Sequence, residues 1–150
     1  MRKAMKQSVQ LSDSVHIMLY LAIKHNPDQL TSEAIAQSVN TNPSAVRKIM
    51  SNLKKAGLIS SHRGKADPVI IRPLKDITLL DIFHSLPGTN DLLQPDRHTS
   101  RSCPVGANIQ TVLNEKYHQI QLVIEDQMSR ITLKELTDEI NGLIGEGAGS

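Results

Sequence analysis

The residues best equipped for chemistry fall in three short stretches. Residues 41–57, TNPSAVRKIMSNLKKAG, hold Arg47, Lys48, Lys54 and Lys55 at spacings that place cations on one side of a helix. A guanidinium at Arg47 presents the planar fork that pairs with two acceptors of a guanine edge. Ahead of it, Thr41, Asn42 and Ser44 lie where a helix begins, with side chains able to reach phosphates or base edges and backbone N–H groups that favour phosphate. Lys48 suits a backbone phosphate. Lys54 and Lys55 suit either phosphate or plain solvent beside the negative helix end. The second stretch is His62, Arg63 and Lys65, a small basic tip. The third is Cys103, with Arg101 before it and Pro104 after it.

Cys103 precedes a helix-opening proline, so the helix N-terminus and the neighbouring cation both favour thiolate. Two readings follow: an inert, buried thiol, or a sensor whose oxidation alters the protein. Nucleophilic catalysis is unsupported, because no base or oxyanion partner accompanies Cys103 and there is no phosphate-binding glycine loop. The chain therefore reads as no enzyme. The six His residues form no metal pattern, since His98 and Cys103 lie five apart on an irregular stretch and His118 lies on a long helix. No metal and no cofactor are expected.

These groups must be carried by a small aliphatic scaffold. The 150 residues include one Phe, two Tyr and no Trp, so the core has to be built from Leu, Ile, Val and Met. Residues 1–75 hold twelve Lys/Arg against four Asp/Glu, and residues 76–150 hold five against eleven, a basic half followed by an acidic one. That asymmetry points to a polyanion, most simply double-stranded DNA, as partner of the first half; a solvated basic surface is the plainer reading. A single Cys excludes an intramolecular disulfide framework and suits a reducing cytoplasm. No apolar run is long enough to span a bilayer, and the basic start lacks the apolar run and cleavage site of a signal peptide.

The periodicity predicts a first helix from about Ser12 to Lys24, with Leu11, Val15, Met18, Leu19 and Ala22 on its apolar side. Thr31 predicts an N-cap for a short second helix that buries Ile35, Ala36 and Val39. After the turn at residues 40–43, Asn42 caps a third helix with Pro43 at its first position, and Gly57 ends it in a left-handed conformation. Val46, Ile49, Met50 and Leu53 face inward. Two short helices joined by such a turn, the second basic, form a helix-turn-helix. Strands at 58–61 and 69–72 around the basic tip predict a hairpin wing.

Thr78 and Asp81 predict a capped helix through Leu86. Residues 89–104 read as a flexible sensor-type loop. A long helix over 105–130 carries an apolar band, and Ile109, Leu113, Tyr117, Ile120 and Ile124 are expected to meet a second copy of the chain. Thr132 and Glu135 predict a capping box for a last helix, ended by Asn141-Gly142, with a disordered tail over 142–150. The fold class is thus mainly α with a small β-hairpin wing. Its winged helix-turn-helix domain spans 1–88, and dimerisation helices span 105–141.

Four segments together resemble the Rrf-type winged-helix repressors, the group of IscR, NsrR and CymR. They are HIMLYLA at 16–22, TNPSAVRKIMSNLKKAGLISSHRG at 41–64, RPLKDITLLDIFHSLPG at 72–88 and SCPVG at 102–106; ITLKELTDEI at 131–140 adds to them. The resemblance implies a homodimer with crossed long helices that binds a palindromic operator and represses transcription. It also implies that Arg63 enters a minor groove, flanked by His62 and Lys65. Two departures stand out. The wing carries Ala66-Asp67-Pro68 where the group has a Gly-Gly step, and Asp67 would repel phosphate. The cluster-binding members have three cysteines before the long helix, whereas this chain has Cys103 alone, with Asp91 and Arg97 near the other two places. No iron–sulfur cluster is expected. The alternative to a DNA-binding regulator is a winged-helix protein-interaction module, which has no need of cations at both Arg47 and Arg63.

Overall fold

The computed structural model describes residues 2–60, 68–88 and 90–148. Helix α1 runs over Arg2–Ile23, ten residues ahead of the expected start at Ser12. The added turns hold Lys, Ala, Met and Gln and no Gly or Pro, so nothing in them interrupts a helix. Pro27 then opens a single tight turn, Pro27–Gln29, capped by Asn26.

Helix α2, Ser32–Val39, starts as expected, with Thr31 Oγ1 accepting from the Ala34 N–H at 3.1 Å. It ends at Asn40, which adopts the left-handed conformation at φ 63°. Asn tolerates that region better than most residues. Helix α3, Pro43–Lys55, begins on Asn42, whose Oδ1 accepts from the Ala45 N–H at 2.8 Å. Its far end is a Schellman motif: Leu58 N–H bonds Leu53 O at 3.1 Å, Gly57 N–H bonds Lys54 O at 3.0 Å, and Gly57 takes φ 76°.

The hairpin forms with shorter strands than expected, β1 at Ile59–Ser60 and β2 at Val69–Ile70. They pair antiparallel, Ile59 opposite Ile70 and Ser60 opposite Val69. One further bond, Ile71 N–H to Leu58 O, continues the pairing. The expected wing tip, with His62, Arg63, Lys65, Ala66 and Asp67, lies outside the described residues.

Helix α4, Leu79–His84, carries the full capping box, Thr78 Oγ1 accepting from Asp81 N–H and Asp81 Oδ2 accepting from Thr78 N–H. Helix α5, Pro104–Ser129, is the longest element. Helix α6, Leu133–Ala148, passes straight through Asn141-Gly142. The expected stop and disordered tail are therefore corrected: residues 142–148 are helical. A glycine inside a helix costs only about 1 kcal/mol relative to Ala, and it ends a helix only by turning left-handed, which Gly142 does not do. Thr132 Oγ1 does accept from the Glu135 N–H.

One core joins α1 (Ile17, Met18, Leu21), α2 (Ile35, Ala36), α3 (Val46, Leu53), the hairpin base (Leu58, Ile59), Ile77 and Ile82, and Leu133 of α6. Backbone bonds clamp the two halves together: Leu79 N–H to Ile131 O and Leu133 N–H to Ile77 O, both 2.8 Å, flank a bridge between Thr78 and Thr132. By contrast α5 has no buried residue. Replacing Leu53, fully buried on α3, with Ala is expected to lower unfolding free energy by about 2–5 kcal/mol. Lys55→Ala on the same helix should change it by no more than about 0.5 kcal/mol. Urea unfolding at one fixed protein concentration checks both, and equal effects would contradict the packing described.

Candidate nucleic-acid interface

Helix α3 is two-sided by construction. Val46 and Leu53 are fully buried, which turns Ser44, Arg47 and Lys48, three and four residues apart, to solvent as one face. Thr41 and Asn42 stand at its N-terminal end, where the backbone N–H groups of the first turn make a partial positive charge. Asn42 is already partly committed: its Oδ1 caps the helix, while its amide nitrogen stays available to donate to a ligand. Arg47 is loosely held, its Nη1 4.0 Å from Glu33 Oε1 with both side chains well exposed. Such a surface pair contributes little and yields readily to a phosphate or base. Lys48 is exposed as well. Residues 41–48 are thus brought together, while the basic tip at 62–65 lies outside the described residues.

The residues expected at a dimer face lie on α5, and they divide. Ile109, Leu113, Tyr117 and Ile124 are half-buried. Ile120 is exposed, together with Val105, Val112, Leu122 and Val123, of which Val123 is 70% exposed. Leu122 stands outside the single apolar band that Val112, Ile120 and Val123 mark on this helix.

Residues 90–103 form no helix or strand, yet they are tied to α5. Gln121 bonds both Asn90 O and Leu92 N–H, and Thr99 Oγ1 donates to Gly106 O at 2.7 Å while accepting from Gln110. Gly106 is required, since a Cβ there would collide with the backbone of Ser100.

Comparison with known proteins settles the class. The profile of Rrf2, described as iron-dependent transcriptional regulator, matches residues 7–139. The chain belongs to the Rrf2 family. It is 30% identical to YwnA of Bacillus subtilis (strain 168), a candidate HTH-type transcriptional regulator, over 87% of this chain and 96% of that one. A solved structure of a candidate transcriptional regulator from Lactobacillus plantarum is 25% identical with a TM-score of 0.69, covering 95% of this chain and 99% of the other. CymR of B. subtilis, titled the global cysteine regulator, shares the fold at 23% identity and a TM-score of 0.61, covering 86% and 93%. This Rrf2 chain is accordingly a winged-helix transcriptional regulator, not an enzyme.

The family description raises iron, and the donor set here does not fit an iron–sulfur cluster. Such clusters are held mainly by thiolates, and the chain has one Cys. Arg97, near one of the places where cluster-binding members have cysteine, carries donors only and cannot ligate a metal. Among the described residues, no group of three or more His, Cys, Asp or Glu could hold a metal ion. Among them, too, no helix is long and apolar enough to cross a membrane.

Cys103 is the N-cap of α5 and exposed to solvent. The N–H of Gly106, and next that of Val105, favour its thiolate and hold the thiol below its ordinary pKa, without closing a formal cap hydrogen bond. A lowered pKa means thiolate at lower pH. The iodoacetamide alkylation rate of Cys103 should therefore rise through an inflection below that of a cysteine in an unstructured peptide, measured side by side. An inflection at or above the peptide's would contradict this environment.

Proposed function

We propose that this Rrf2 protein is a repressor that binds a palindromic operator as a homodimer in the cytoplasm. In this reading residues 1–88 face DNA, and α5 with α6 joins the two copies. The observation that carries it is the α3 face of Ser44, Arg47 and Lys48, turned outward by the burial of Val46 and Leu53 and bounded by a positive helix end. Arg47 reads a guanine, Thr41, Asn42 and Ser44 set the helix on the backbone or reach base edges, and Lys48 neutralises phosphate. His62, Arg63 and Lys65 are assigned to the adjacent groove on the resemblance alone. A winged helix used only for protein contacts has no need of this cationic face.

Selection of bound genomic fragments should return a near-palindrome, and affinity for it should fall steeply with salt as counterions are released. Arg47→Ala should weaken that site by about 1–3 kcal/mol, roughly 5- to 150-fold, and relax preference at one base pair. Lys48→Ala should weaken all sequences alike. Affinity no better than for random DNA would overturn the repressor reading.

The second copy is supported by α5, whose Val112, Ile120 and Val123 are exposed along one side. Sedimentation should give a dimer, and Val123→Glu should give folded monomers with weaker operator binding. A wild-type monomer at micromolar concentration would refute the dimer.

Redox sensing at Cys103 is the further part of the proposal. Its exposed, thiolate-favouring position at the start of the dimer helix supports it. Oxidant-driven release of DNA that persists in Cys103→Ser would rule it out.

A further inference from the structure

Residues 90–99 lie along α5 as a strap, and between the two is a polar cavity of about 220 Å³ that the DNA-binding reading makes no use of. The strap is pinned at both ends. Gln121 donates to Asn90 O at 2.8 Å and accepts from the Leu92 N–H at 3.1 Å, and Thr99 Oγ1 donates to Gly106 O while accepting from Gln110. Asp91 and Arg97 line the cavity from the strap, and Asn114 and His118 line it from α5; apart from Leu93 and Pro95, every lining side chain carries a polar group. The side chains of Asp91, Arg97, Asn114 and His118 make no hydrogen bond or ion pair among the described residues. An acid and a base thus share one small cavity without pairing with each other.

The cavity also lies apart from the face proposed for the second copy. At about 100° per residue, Asn114, His118 and Gln121 fall nearly half a turn around α5 from the exposed Val112 and Val123. Its volume is below the roughly 300–1,000 Å³ of drug-sized sites, which limits an occupant to a few heavy atoms.

We propose that this cavity binds a free α-amino acid with a polar side chain, its carboxylate on Arg97, its ammonium on Asp91 and its side chain at Asn114 and His118. The Arg97 guanidinium offers a planar fork that takes a carboxylate through two parallel bonds. The Asp91 carboxylate accepts from an ammonium. The two lining charges cancel, which matches a ligand of no net charge that carries both signs. A simple carboxylate would face Asp91, and a simple amine would face Arg97. Because the strap is pinned before a ligand arrives, little ordering cost opposes binding. In the reading above α5 joins two copies, so occupancy bears on how they are set; that consequence rests on the reading, whereas binding itself does not.

The test is calorimetric titration of the full-length protein with each of the twenty standard L-amino acids in turn, with circular dichroism to verify folding of every variant. Saturable uptake of about one molecule per chain is expected for at least one amino acid with a polar side chain. Its N-acetyl form, which has lost the ammonium, and its C-terminal amide, which has lost the carboxylate, should each bind roughly tenfold more weakly or worse. Asp91→Asn should weaken the free amino acid by a similar factor and leave the N-acetyl form unchanged. Arg97→Gln should weaken the free amino acid and leave the amide unchanged. Absence of saturable binding by all twenty, binding confined to apolar amino acids, equal affinity for the blocked forms, or indifference to both substitutions would overturn the proposal. Because no DNA is present, failure here leaves the operator reading standing, and failure of operator selection leaves this result unaffected.

Discussion

The packing of Val46 and Leu53 into the core built on Ile17 and Met18 is the constraint on which the rest depends. A helix has one orientation about its axis, and burying those two side chains fixes it for α3. Ser44, Arg47 and Lys48 then have nowhere to point but outward. The caps do the complementary work along the axis. Asn42 sets where α3 begins, and the Gly57 turn sets where it ends and where the hairpin leaves. The face proposed to meet DNA is thereby made from aliphatic packing and two terminal hydrogen-bond patterns, with no contribution from the cations themselves.

The same logic leaves α5 unfinished. Its inner side meets α4 and residues 90–99, but no residue of its 26 is buried. The link between α5 and α6 is nonetheless rigidly placed, because the bridge between Thr78 and Thr132 ties it to the entry of α4. Movement of the long helix against a second copy would therefore be transmitted to the core near Ile77 and Leu133, both fully buried, and not absorbed in a loose linker.

Much of this was legible in the sequence because it rests on local chemistry. Thr31, Asn42, Thr78 and Gly57 announce helix ends through hydrogen bonds within a few residues of themselves, and each does so in the structure. The apolar stripe of α3 was legible for the same reason. Where the reading failed, long-range or permissive effects decided. Asn141-Gly142 resembles a stop, yet nothing forces Gly142 into the left-handed region. The beginning of α1 carries no cap signal, so apolar periodicity placed it at Ser12 when the helix starts at Arg2. The bridge between Thr78 and Thr132 joins residues far apart in the chain and leaves no local trace. On the candidate site, residue types around Arg47 and the capping role of Asn42 were readable, but the loose pairing of Arg47 with Glu33 across α2 and α3 was visible only in the assembled helices. The left-handed Asn40 and the cavity beside α5 likewise emerge only from the assembled chain.

The most direct measurement is hydroxyl-radical footprinting of the protein on an operator obtained by selection. Two copies presenting α3 to successive major grooves should protect two patches related by two-fold symmetry, on one side of the duplex and about 10–10.5 base pairs apart or a multiple of that. A single unsymmetric patch, or uniform protection without a boundary, would contradict the account of α3 as one of a pair of reading helices.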